Sequence, residues 1–265
     1  MASVMYVTDH GMIEYHRING DDDLIFWRPL SQTRMKKFYP GDLIFFLTKV
    51  DVPGHSNEKG IVGYGRYVYS EKLRLDTMWK KYTTKNGFDT KAELTKVLKE
   101  LSGEIPEKIS CLYVNHLVFF AEPVFPSEVG MKIPGNLESY MYTNTGKMDY
   151  TYPLLKKGKE AGISYWATVV AQNSAETGWF EKDLRRYRVS SLQDKIGNLP
   201  VGKTADSDNR RVMHGIVRKD PEVQPISDRG TQYFRDDENG VTVYIPAMIS
   251  PRDTDALKIG RASCR

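Results

Sequence analysis

Phe26-Trp27-Arg28-Pro29, then Tyr39-Pro40-Gly41-Asp42, Leu43-Ile44-Phe45-Phe46-Leu47 with Lys49, and Ile61-Val62-Gly63-Tyr64-Gly65-Arg66-Tyr67 together decide the fold. The Pro-Gly step is a turn signal. It delivers the chain into a continuous apolar, β-favouring run, Leu43 to Val50, bounded again by Pro53-Gly54, which reads as a buried strand. Gly60 to Ser70 reads as a returning strand rich in Val and Tyr. Glycine inside a strand is costly unless a ligand or another backbone comes close. Two glycines, Gly63 and Gly65, flank Tyr64, which points to a small barrel with a binding cleft and to recognition rather than catalysis.

Working outward, Ser3 to Val7 and Leu24 to Trp27 are short strand candidates, and Met12 to Arg17 reads as a helical turn. Leu73, Leu75, Met78 and Trp79 recur at helical spacing. Thr90 with Glu93 forms a capping-box pattern ahead of the stripe Leu94, Val97, Leu98, Leu101, and Ser102-Gly103 ends that helix. Ile109 to Phe120 returns to strand, with Pro123 and Pro126 closing it. Ile163 to Ala171 fits a strand or a short helix, Trp179 to Tyr187 a basic helix, and Val241 to Ile245 a strand hairpinned with Gln232 to Arg235. The fold class is α+β: a small β-barrel with flanking helices over residues 1–155, then a weakly specified α+β region over 156–258. Residues 259–265 read as the translation of a sequencing-adapter oligonucleotide, so the natural C-terminus, and with it a further domain, is expected to lie beyond them.

The chain of 265 residues carries a formal charge of +4, with a pI near 8.8. That mild basicity suits a polyanionic partner without requiring one. The two cysteines, Cys111 and Cys264, make no disulfide framework, and Cys111 in its apolar run reads as a buried small hydrophobe. No leader peptide opens the chain, and no apolar run reaches the roughly 18 residues of a membrane span. The expectation is a cytoplasmic protein.

Gly197-Asn198-Leu199-Pro200-Val201-Gly202-Lys203-Thr204 matches the phosphate-loop pattern. Its context does not: the preceding residues are polar rather than a buried strand, and Ala205 to Asn209 is turn-like rather than an apolar-faced helix. His10, His16 and His55 are scattered over polar segments, and His116 and His214 cannot by themselves build a metal-dependent nuclease or zinc site. The expectation is no catalytic residue, no metal and no cofactor.

The aromatic residues carry more. Trp27, Tyr64 and Tyr67 either line a pocket for a flat ring, such as an extruded nucleobase, or pack in the core, Tyr67 reading as core or surface rather than pocket. Lys49 either meets a phosphate or ends a strand in solvent. Arg34, Lys36 and Lys37 form a basic loop able to position a phosphate backbone.

The same residues resemble the N-terminal domain of predicted HNH-type restriction endonucleases, a PUA-like fold near the EVE and YTH domains. The likeness runs through Phe26 to Ser31, Pro40 to Lys49 and Ile61 to Gly65, and extends to Met78-Trp79, Asn86-Gly87, Ile109 to Leu112 and Val118 to Phe120. It implies a barrel that holds a modified base, in DNA more than RNA and a modified cytosine above others, as the specificity part of a restriction or defence protein. By position the base-binding set is Trp27, Ser31, Gly63, Tyr64 and Gly65, and the phosphate-binding set Lys49, Arg34 and Lys36. The chain departs from the family in carrying Ile25 where an Asn is frequent, and in the longer loop Asp51 to Lys59. A modification-dependent endonuclease with its catalytic domain further C-terminal is the alternative, and an RNA- or small-molecule-binding regulator a third.

Overall fold

A computed structural model of the chain describes residues 3–29, 35, 38–55, 58–145, 148–164, 166, 175–196, 215–220, 222–225, 233–237 and 240–244. The chain divides into two compact units, Met1–Arg185 and Arg186–Arg265. The first is built on a six-stranded sheet of β1 (Val4–Val7), β2 (Asp23–Arg28), β3 (Leu43–Lys49), β4 (Lys59–Leu73), β5 (Ile109–Val124) and β6 (Tyr140–Tyr142), in the order β2-β5-β4-β3-β1-β6. β1 runs parallel to β3, with Val4 opposite Ile44, and every other pairing is antiparallel.

The helices start where local chemistry allows. Asp9 caps α1 (His10–Asn19) by accepting from the Met12 amide at 3.0 Å, and Gly20 closes it in the left-handed region at φ 66°. Two clean caps thus make a ten-residue helix of what the sequence suggested was a turn. α2 (Leu75–Tyr82) leads through a 3₁₀ turn, Thr83–Asn86, to α3 (Lys91–Ser102). The capping box forms as expected: Thr90 Oγ1 accepts from the Glu93 amide at 3.3 Å, and the Glu93 carboxylate accepts from the Thr90 amide at 3.1 Å. Thr90→Ala should therefore cost about 1 kcal/mol in thermal or urea unfolding; an unchanged midpoint would show that tertiary packing alone holds this end.

Alternation sorts the sheet's side chains between two cores. On the inner face Val4, Leu24, Phe26, Ile44, Phe46, Leu112, Val114 and Phe119 pack around Ile13 of α1. On the outer face Ile25, Ile109 and Cys111 meet Met78 and Tyr82 of α2 and Leu94 and Leu98 of α3. Burial pushes the Cys111 thiol up to about 12, as befits a structural hydrophobe. Further along the outer face, β5 meets α4 (Thr151–Ala161), where Gly158 sits against the Phe120 ring. Asn144–Thr145 and Met148–Asp149 pair as a small ribbon, β7 and β8.

β4 and β5 run longer than expected, to Leu73 and through Pro123 to Val124. Their ladder carries register shifts between Ile61 and Gly63, Tyr64 and Arg66, and Tyr67 and Tyr69. Such bulges sharpen twist and bend, curling the sheet. The expected barrel does not close: β2 and β6 end the sheet on opposite edges. One side chain spans the seam. Arg28 of β2 donates to Tyr6 of β1 and to Ser139 and Glu138 beside β6.

α5 (Ala175–Ile196) contains the division between units. In the second unit β9 (Gln224–Pro225), β10 (Tyr233–Asp237) and β11 (Gly240–Tyr244) form a three-stranded sheet ordered β11-β10-β9, which includes the expected hairpin. Val223 and Tyr233 pack there with Ile216, Val217 and Tyr244, and Arg235 pairs with Asp220 at 3.2 Å. The phosphate-loop match, Cys264 and most of the Ile163 to Ala171 segment lie outside the described residues. Among the described residues no helix is long and apolar enough to cross a membrane.

Candidate ligand cavity at the sheet seam

A cavity of about 300 Å³ opens where the curled sheet fails to close. Five rings reach it: Tyr6 from β1, Phe26 from β2, Phe38 from the approach to β3, Tyr67 from β4 and Tyr140 from β6. Tyr6 and Phe26 lie 4.9 Å apart between centroids, and Phe38 and Tyr67 4.8 Å. The polar lining includes Arg28, Ser70, Glu71, Lys72, Ser110 and Ser139. A concave, mostly apolar space of this size with a few convergent polar groups is the usual form of a small-ligand site.

The electrostatics of the lining are ordered. The Arg28 guanidinium stands 4.8 Å from the centre of the Tyr6 ring and donates from Nε to Tyr6 Oη at 2.7 Å. Burial raises the Tyr6 phenol above its ordinary pKa, against the pull of Arg28, so it stays protonated and available as a donor. Glu71 is desolvated, which alone would raise it, but hydrogen bonds from Lys81 at 2.5 Å and from the Tyr82 hydroxyl outweigh that and hold it ionised.

The residues singled out in the sequence are distributed differently. Strand alternation sends Phe26 and Arg28 to the cavity and Trp27 to the other face. There Trp27 packs beside the α2–α3 core, 6.1 Å from Phe88, and its indole Nε1 donates to the Asn86 carbonyl at 3.1 Å. Tyr64 is fully buried among Phe45, Phe120 and Phe180, with its hydroxyl donating to Asp183 at 3.2 Å. Gly63 and Gly65 make room for the partner strand: a Cβ on Gly63 would stand 2.4 Å from the Val118 carbonyl oxygen, and one on Gly65 2.5 Å from Val114 Cγ1. So the close approach that strand glycines signal is made by β5.

Lys49 is exposed and pairs across the ladder with Lys59, while the cavity residues of β4 begin at Tyr67. At about 3.3 Å per residue that is more than ~20 Å along the strand. Ser31, Arg34 and Lys36 lie outside the described residues. The sequence reading left out Tyr6, Arg28, Phe38 and Tyr140, and it assigned Tyr67 to core or surface rather than to the pocket. The available signal was the period of two across Phe26-Trp27-Arg28, which forbids neighbouring residues from sharing a face.

His16, His55 and His116 take structural positions. His16, on α1, is fully buried and donates from Nδ1 to Asp21 at 2.8 Å. His55 stacks on Phe125 at 3.6 Å and bonds Glu58. His116, at φ 51°, lies 4.0 Å from the Trp179 ring, and burial together with the nearby Arg66 holds its pKa below the ordinary value. Among the described residues no group of three or more His, Cys, Asp or Glu side chains is placed to hold a metal ion.

No family model matches the chain, and no curated protein matches it. Among solved structures it is similar to the ASCH protein of Zymomonas mobilis, at 9% identity and a TM-score of 0.39, over 61% of this chain and 96% of that one. Two single-substitution mutants of the same protein give 10% identity with a TM-score of 0.40, and 9% with 0.38. The first covers 61% of this chain and 96% of its own, the second 54% and 91%.

Proposed function

We propose that the first unit is a nucleic-acid-binding module that accepts an unstacked base in the cavity at the sheet seam. The observation that carries this reading is the convergence of five rings from separate segments on one cavity of about 300 Å³. A flat heteroaromatic ring is the ligand whose faces such a lining matches, and stacking is worth about 1–3 kcal/mol per base. Taking the base out of its stack costs a few kcal/mol, least for single-stranded or modified positions. The resemblance to restriction-linked EVE-like domains favours a modified cytosine in DNA as the base, within a restriction or defence protein. Tyr67 takes the stacking role here, while Trp27 supports the strand from behind.

Binding of the intact chain to matched modified and unmodified DNA and RNA oligonucleotides, followed by fluorescence anisotropy, tests this. Tyr67→Ala should weaken binding by about 5- to 150-fold, the equivalent of one stacking contact. Trp27→Phe, which loses the bond to Asn86 and some packing on the face away from the cavity, should leave affinity unchanged. No binding to any oligonucleotide, or a folded Tyr67→Ala protein with full affinity, would sink the proposal.

A further inference from the structure

We infer that the cavity holds the ring of its occupant beside a phosphate group, which is bound at a corner made by Arg28, Tyr6 and Ser139. The inference rests on the base-reading proposal for the ring, but the corner stands on its own geometry. Arg28 donates from Nε to Tyr6 Oη at 2.7 Å, from Nη1 to Ser139 Oγ at 3.3 Å and from Nη2 to the Glu138 backbone oxygen at 3.4 Å. All three acceptors are neutral. Among the described residues Arg28 has no carboxylate partner. Glu71, the acid that shares the cavity, is engaged by Lys81 and Tyr82.

The hydroxyls sharpen the point. A hydroxyl oxygen that accepts a hydrogen bond keeps its own O–H to give. Because the guanidinium occupies an acceptor site on both Tyr6 and Ser139, their hydrogens are left to point elsewhere. Among the described residues neither hydroxyl donates to a protein acceptor. Tyr6 is only 8% exposed and faces the cavity, where an acceptor on a bound ligand would satisfy its O–H. The corner therefore presents a cation and two O–H donors, and among the described residues no carboxylate faces them there. That is the complement of a phosphate oxygen, and charge-assisted bonds of this kind are the stronger ones. Lys72, also on the lining, adds to the positive field.

Calorimetric titration of the full chain with cytidine and adenosine, their 5′- and 3′-monophosphates, the dinucleotides CpC and ApA, and inorganic phosphate tests the inference. The monophosphates should bind at least about tenfold more tightly than the nucleosides. That advantage should vanish in Arg28→Gln and fall several-fold in Tyr6→Phe and Ser139→Ala, which retain the arginine. A gain that appears in the dinucleotides as well assigns the corner to a backbone phosphodiester; a gain confined to the monophosphates assigns it to a chain terminus. Arg28 also bridges the seam, so if Arg28→Gln does not fold, Tyr6→Phe and Ser139→Ala decide. Equal binding of nucleosides and nucleotides overturns the corner and leaves base reading intact. Binding of inorganic phosphate that Tyr6→Phe weakens, with no nucleoside bound, supports the corner and removes base reading. A phosphate advantage unchanged in every variant overturns the assignment to these residues.

Discussion

Asp183→Ala is expected to destabilise the first unit by about 3–5 kcal/mol, the usual consequence of stripping one partner from a buried ion pair. Asp183 is 1% exposed, and its carboxylate takes a bond from Arg66 Nη2 at 2.5 Å and one from the Tyr64 hydroxyl at 3.2 Å. Removing it deprives a guanidinium, itself only 17% exposed, of its opposite charge and takes an acceptor from the buried Tyr64 phenol. Arg66 already has a buried Nε without a hydrogen-bond partner, so the site has little spare capacity. Thermal unfolding should show a loss of about 6–20 °C for a unit of this size. The double variant Arg66→Met/Asp183→Leu should recover much of it, because a packed apolar pair carries no desolvation penalty. A single variant within about 1 kcal/mol of the parent would mean that water reaches the pair.

Gly63→Ala comes next, at about 3 kcal/mol, the upper end of the range for overpacking. The added Cβ would sit 2.4 Å from the Val118 oxygen and 3.1 Å from Phe119 Cα, both backbone atoms of the neighbouring strand. No rotamer relieves that contact; the β4–β5 ladder itself must separate. Gly65→Ala is the control. Its two nearest neighbours, Val114 Cγ1 at 2.5 Å and Leu117 Cδ2 at 2.9 Å, are side-chain atoms, and the nearest backbone atom, the Asn115 oxygen, stands back at 3.2 Å. Urea denaturation should place Gly63→Ala well below Gly65→Ala. The reverse order would refute strand contact as the reason for Gly63. Where the protein remains folded, neither change should alter ligand affinity, because neither position touches the cavity.

Much of the fold was legible because its signals are local. The apolar run from Leu43, the capping box at Thr90 and the hairpin ending at Tyr244 each depend on a few neighbouring residues, and each forms. The α1 helix was understated because its strength lies in the caps Asp9 and Gly20 rather than in a long apolar stripe. The site was legible only in outline. Phe26-Trp27-Arg28 does mark the strand beside the cavity, but the indole drew the attention that the period of two assigns to its neighbours. Tyr6, Phe38 and Tyr140 are widely separated in sequence, and only the parallel β1–β3 pairing and the β1–β6 edge bring them together. Alternation puts Tyr64 and Arg66 on one face of β4, but nothing in the neighbouring sequence reveals that Asp183, more than a hundred residues on, meets both there.

The pairing of β1 with both β3 and β6 sets a timetable for synthesis. Val4 has no strand partner until Ile44 has been made, and the edge of its sheet stays uncovered until Tyr142 follows. Contacts of such sequence separation form late, since loop closure must precede their reward. A nascent chain therefore carries Tyr6 and Arg28 through most of the unit's translation before Ser139 can join them. Truncations ending before Ser139 are expected to leave an open apolar edge prone to association. In this protein the last piece of the sheet to be made is also the one that completes the cavity.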